Sequence, residues 1–218
     1  MKLVTKQQCQ NSKLGTKTWT NMEVDVLDKV KHLLTFESDD DFYYLQILQR
    51  KKENPHLGSN SRVIKNYYIG SVEYLEKHYE EIKSLCQMFN ARAALRLNKR
   101  SYEKCAFKAI QNVANSIANR EYGFIKKSYD RAVGDGHNDK NKKWIIDIDD
   151  GDAPPDMWLP QMRDYIKGCR PEGDKVIIIL PTKNGWHLIT SPFDLSAFRV
   201  AYPNLDIHKD NPINLYIP

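Results

Sequence analysis

Apolar positions along the chain recur with two periods, and the change from one to the other marks out the elements. From Asp41 to Gln49 the run Phe42-Tyr43-Tyr44-Leu45-Gln46-Ile47-Leu48 is aromatic and branched, and it ends in the basic turn Arg50-Lys51-Lys52-Glu53-Asn54-Pro55, which predicts a strand. A second strand is expected from Arg62 to Ile69. Ser71 then caps a helix whose apolar residues Val72, Leu75, Tyr79, Ile82, Cys86 and Phe89 recur every three or four positions and give one buried face. Residues 91–98 alternate instead, with Ala91, Ala93, Leu95 and Leu97 on one side and Arg92, Ala94, Arg96 and Asn98 on the other. That pattern predicts a half-buried strand with two arginines on its polar face. Ser101 opens a further helix with Tyr102, Ala106, Ala109, Val113 and Ile117 as its inner stripe.

Between Arg120 and Lys143 the periodicity is lost while Lys126, Lys127, Arg131, Lys140, Lys142 and Lys143 accumulate around Gly134-Asp135-Gly136. A mobile basic loop is expected there, suited to a nucleic-acid backbone or to a solvated linker. Strands follow at 144–149, 176–180 and 185–190, with a helix at 160–167 whose Pro160 falls in its first turn. Ser191-Pro192-Phe193-Asp194 reads as a capping box opening a helix through Phe198 and Val200, and strands at 205–209 and 213–217 close the chain. The order β-α-β-β-α-β plus one strand is that of a split βαβ, or RRM-like, unit. The expected class is α+β, an RRM-like sheet packed with an N-terminal α/β lobe. Residues 1–218 then form one catalytic unit: an arm or peripheral strand at 1–21, the α/β lobe at 22–125, the basic loop at 126–143 and the RRM-like lobe at 144–218.

Composition narrows the setting. With 41% hydrophobic and 28% charged residues in 218, the chain can bury a full core. A net charge of +5 permits a polyanionic partner without requiring one. Cys9, Cys86, Cys105 and Cys169 are too scattered for a zinc pair or a disulfide framework, and read as buried thiols in a reducing cytosol. No apolar run matches a membrane span or a signal peptide, so a cytoplasmic protein with no membrane partner is expected.

Chemistry concentrates in the last third. Alternation on a strand places Asp147 and Asp149 on one face and Ile146 and Ile148 on the other. Two like charges held together are relieved by a cation, and magnesium suits a pair of carboxylates that share it with substrate phosphates. The alternative is a strand end running into a solvated acidic turn, Asp150-Gly151-Asp152. In Thr182-Lys183-Asn184-Gly185-Trp186-His187, the imidazole sits on a strand expected beside the aspartate strand, because the first and third strands of a split βαβ are neighbours. Gly185 leaves the sheet face bare for close approach of a ligand. Asp206 is a third candidate carboxylate, with Asp210 as its substitute until register decides between them.

Ile146-Asp147-Ile148-Asp149, Gly185-Trp186-His187 and Leu205-Asp206 together resemble, in order and strand placement, the three motifs of archaeo-eukaryotic primases and primase-polymerases. The resemblance covers residues 144–217, and the preceding lobe with Arg92 and Arg96 looks like the N-terminal module of that family. It implies a template-dependent nucleotidyltransferase that uses Mg2+ or Mn2+ on Asp147, Asp149 and Asp206 for in-line phosphoryl transfer. His187, with Thr182, Lys183 and Gly185, would grip the incoming nucleoside triphosphate. Arg92, Arg96 and Arg100 would contact a DNA template or primer, and a helicase or accessory primase domain would come from another chain. Gly185 stands where the family usually has Ser, so backbone amides of that segment are expected to replace its hydroxyl. Three rivals remain: a catalytically degenerate primase-like protein, an RRM-like nucleic-acid-binding module, and a rolling-circle-type nickase, which needs a His-x-His pair that this sequence lacks.

Overall fold

The computed structural model describes residues 23–135, 139–149 and 155–218. The expected N-terminal arm at 1–21 and the acidic turn at 150–152 lie outside them. The described chain is a mixed α+β structure with antiparallel sheets and six α-helices. In chain order its first half comprises β1 (Val24–Asp25), α1 (Leu27–Val30), β2 (Asp41–Arg50), β3 (Ser61–Ile69), α2 (Val72–Phe89), β4 (Arg92–Arg96), β5 (Arg100–Ser101) and α3 (Tyr102–Ala118). The second half comprises α4 (Ser128–Asp135), β6 (Trp144–Ile148), α5 (Pro155–Gly168), β7 (Val176–Pro181), β8 (Trp186–Thr190), α6 (Leu195–Ala201), β9 (Asp206–His208) and β10 (Pro212–Ile217). The first sheet runs β1-β10-β4-β2-β3, with β5 beside β2, and the second runs β7-β8-β6-β9.

Two-residue periodicity decides what each face of the first sheet meets. Tyr43, Leu45 and Ile47 of β2 share a core with Ala93 and Leu95 of β4 and with Leu75, Tyr79, Ile82 and Cys86 on the inner stripe of α2. Each branched side chain withdrawn this completely from water contributes about 1.5–3 kcal/mol. The Ser71 hydroxyl accepts the Tyr74 amide at 3.1 Å to start α2, and Asn90 in the left-handed region ends it. On the other side of β2, Phe42 and Tyr44 meet Cys105 of α3 and Val133 of α4. In the second sheet Trp144, Ile146 and Ile148 pack with Met162 and Ile166 of α5 and with Phe198 of α6. The opposite face sends Ile145 and Ile189 into the core of the first sheet. The second sheet therefore lies between its two helices and the first sheet.

Several elements depart from the sequence pattern, each for a packing reason. The expected basic loop is partly helical: a 3-10 turn at Tyr122–Lys127 leads into α4, which buries Ser128, Ala132 and Val133, so packing outweighs the weak propensity of Gly134. β4 is covered on both faces rather than half-buried, because the side carrying Arg92 and Ala94 is roofed by other elements. Helix α3 turns Cys105 and Ser116 inward, while Ala106 and Ile117 of the expected stripe are exposed. Helix α5 begins at Pro155 and carries Pro160 in its interior. Helix α6 is capped by Asp194, whose carboxylate accepts the Ser196 amide at 2.9 Å, since the Ser191 amide is already bonded to the Lys175 carbonyl.

The last strand joins the other sheet. β10 pairs with β4, Ile213 opposite Leu95, so the chain crosses between sheets just after β9. Asp210 anchors that crossing. Its carboxylate binds Arg96 and Arg100, and the Asn98 amide reaches both Asp210 and the Lys209 carbonyl. The Arg100 side chain is fully buried, and its guanidinium also donates to the Val133 and Asn98 carbonyls. Asp210→Ala would leave that cation buried against carbonyl dipoles alone, and a loss of about 3–5 kcal/mol in unfolding free energy is expected from denaturant titration. A change below about 1 kcal/mol would show that the crossing does not depend on this pair.

Candidate active site

Two carboxylates and an imidazole meet on one rung of the second sheet. β6 is flanked by β8 and β9, and in that register Asp147 stands directly opposite His187 on one side and Asp206 on the other. Directly opposed residues in an antiparallel pair project to the same face, so all three side chains look towards the first sheet. Asp149, two positions along and just beyond the end of β6, continues the same side and is exposed. His187 Nε2 lies 3.5 Å from Asp147 Oδ1. Register thus brings Asp206 to this group, while Asp210 is committed to the two arginines at the crossing.

Asp147, Asp149 and His187 line a cleft of about 430 Å³ between the two sheets, with His208 beside them, while Asp206 is exposed on the edge strand and stands outside the lining. Its opposite wall is built from the ends of β2 and β4, where Leu48, Arg50, Arg92 and Ala94 face inward, with Lys52 beyond them. Its rim is the turn between β7 and β8, with Thr182, Lys183 and Asn184. That turn is closed by the Thr182 amide donating to the Gly185 carbonyl at 2.8 Å. Gly185 has a reason different from the expected ligand approach. A Cβ there would collide with the Ile148 carbonyl oxygen and come within 3.1 Å of Asp149 Cα, so the strand carrying Asp147 fills the space of any side chain at 185. A serine hydroxyl has no room, and the rim can offer only Thr182, Lys183 and backbone groups.

Electrostatics follow from burial and crowding. The pKa of Asp147 is raised, first by burial and then by the neighbouring Asp149 and Asp206, with His208 opposing. His187 is 9% exposed, and burial lowers its pKa to about 4, with the neighbouring His208 and Arg92 adding to the effect and Asp149 opposing it. At neutral pH the imidazole is uncharged, so its contact with Asp147 is not an ion pair. Asp147 and Asp149 on this wall, with Asp206 on the next strand, could offer hard oxygen donors of the kind that Mg2+ or Mn2+ accepts. Among the described residues no three His, Cys, Asp or Glu side chains converge into a ready-made cage. An ion here would take carboxylates from one side and complete its shell with water and substrate oxygens, which is the habit of magnesium.

The three arginines separate. Arg92 lines the cleft beside Glu53, with its Nε buried and without a partner. Arg96 is turned to Asp210 and Arg100 is enclosed, so neither lines the cleft. His208, Arg50 and Lys52 join the cleft although sequence reasoning passed over them. Alternation from Asp206 would have found His208, whose partner across β6 is Ile145. Comparison of the chain with protein-family models, curated proteins and solved structures finds no match.

The depressed His187 pKa has a signed consequence. Between 6.5 and about 4 the unfolded chain binds a proton at this position that the folded protein refuses. The stability that neutral His187 contributes is complete above 6.5 and falls by up to ~3 kcal/mol as pH drops towards 4. Asp147, with its raised pKa, works in the opposite sense and is common to both proteins compared. In chelator-treated samples, His187→Asn is expected to lose stability less steeply than the native chain over that interval in urea titrations. Parallel slopes would mean that His187 titrates normally.

Proposed function

We propose that the chain is a template-dependent nucleotidyltransferase of the primase and primase-polymerase type, extending a primer with nucleoside triphosphates. The observation that carries this reading is Asp147, Asp149 and His187 facing Arg50, Lys52 and Arg92 across a cleft, with Asp206 paired to Asp147 on the next strand. A triphosphate is matched by cations on one side and by carboxylates that could share a metal ion with it on the other, and the cleft sets Arg50, Lys52 and Arg92 opposite Asp147 and Asp149. The second sheet adds support. Strands β6, β7, β8 and β9, with α5 after the first and α6 after the third, follow the spatial order β7-β8-β6-β9, and this order supports reading the sheet as a split βαβ unit.

In this reading Asp147, Asp149 and Asp206 would hold Mg2+ or Mn2+, which when bound activates the attacking 3′ oxygen and stabilises the departing pyrophosphate. The chain's own groups supply the rest. Neutral His187 can donate a hydrogen bond to a phosphate oxygen without neutralising the carboxylates beside it. Lys183 sits on the rim, and Arg50, Lys52 and Arg92 stand across the cleft to balance the triphosphate charge. Nothing of Ser-type phosphate binding is retained at Gly185. The aspartates also weigh against a simple RRM-like binding surface, which stacks bases on exposed aromatic residues.

A primer-extension assay with Mg2+ or Mn2+ tests this. Losing the charge stabilisation of bound metal is expected to lower incorporation by about 10³-fold in Asp147→Ala plus Asp149→Ala, with the folded state retained. Equal incorporation by the native and doubly substituted chains would refute the assignment.

A further inference from the structure

Helix α3 is amphipathic in the wrong direction for a helix whose only task is to cover a core. It buries Cys105 and Ser116 and leaves Phe107 66%, Ile110 65% and Ile117 52% exposed. With Ala114, also exposed, these residues follow the spacing i, i+3, i+7, i+10 and form one outward stripe about 15 Å long. In the turn that follows, Tyr122 and Phe124 are exposed as well. A contiguous apolar stripe of this kind marks an interaction surface rather than a scattered surface residue.

We propose that this face of α3 docks an amphipathic helix, acidic along its flanks, from a separate protein. Charge selects the occupant. Lys104 and Lys108 lie on α3 against the single acid Glu103, and Arg120, Lys126 and Lys127 follow against Glu121. A second copy of the chain, docked face to face, would bring these cations against themselves. The chain's own first 22 residues carry Lys2, Lys6, Lys13 and Lys17 and no acid, so they have the same unfavourable sign. A helix with leucines at matching spacing and flanking glutamates meets both the apolar stripe and the charge. Docking leaves the cleft open. The inner side of α3 packs on Phe42 and Tyr44, whereas the cleft begins at Leu48, about 20 Å along β2 from Phe42. The partner would recruit or tether the protein without covering its catalytic groups.

The test is fluorescence anisotropy of the full chain with a labelled probe helix of about 18 residues. The probe has leucines at i, i+3, i+7 and i+10 and glutamates on the flanks, and its control replaces glutamate with lysine. Binding of the glutamate helix at least about tenfold tighter than the lysine helix is expected. Phe107→Asp with Ile110→Asp should weaken it by about tenfold or more while nucleotide incorporation is unchanged. Lys104→Glu with Lys108→Glu should reverse the preference between the two probes. Equal binding of both helices, binding of neither, or binding that survives both pairs of substitutions overturns the proposal. So does dimerisation that Phe107→Asp abolishes, which assigns the face to a second copy. Glutamate-helix binding that appears only after residues 1–22 are removed also overturns it, and assigns the face to the chain's own N-terminus.

Discussion

Asp147 is held, half-buried, in the middle of a sheet between a carboxylate and an imidazole, and the sheet accepts this repulsive arrangement because its other face is heavily apolar. Trp144, Ile146 and Ile148 are pinned against α5 and α6. A one-residue slip of β6 would turn those three towards the cleft and drive Asp147 into the helix-facing core. The register of the second sheet is therefore fixed by hydrophobic burial on one side, and the charged constellation on the other side is a consequence of it. The pKa of Asp147 is raised by that burial first and by the neighbouring carboxylates second.

The cleft exists because the second sheet faces the first across a gap rather than packing flush along its whole length. Ile145 and Ile189 close the contact in the core, and the polar rung lies where the two sheets part. The crossing of the chain from β9 to β10 joins the walls, and Asp210, Arg96, Arg100 and Asn98 lock that crossing in place. These charged residues shape the site without lining it. The cations that do face the carboxylates are Arg50, Lys52 and Arg92, carried on the ends of β2 and β4.

Local pattern was enough to find β2, β3, α2, β6, β7 and β8, because their apolar periods are long or strongly branched. It also made Asp147 and His187 neighbours in expectation, through strand order rather than proximity in sequence. What pattern could not supply was the choice between equal candidates. Asp206 and Asp210 lie four residues apart in one short segment, and only pairing with β6 on one hand and burial of Arg100 on the other separate them. The helix at 128–135 was hidden by Gly134 and by dense charge, since its burial depends on contact with α3. Arg100 resembled a surface cation because sequence carries no record of depth. On helix α3 the pattern found the half-buried side of Tyr102, Ala109 and Val113 but gave no sign that Phe107 and Ile110 form a second, exposed apolar stripe. The last strand was assigned to its neighbours in sequence, whereas β4 offered it a partner edge.

The most direct test of the central claim is the position of manganese in crystals of the native chain grown with Mn2+ and a non-hydrolysable nucleoside triphosphate, read from anomalous scattering. A peak in coordination contact with Asp147 and at least one of Asp149 and Asp206, with the triphosphate between it and the basic wall, is predicted. Manganese bound elsewhere, with the cleft carboxylates bearing no ion while nucleotide is present, would contradict the account.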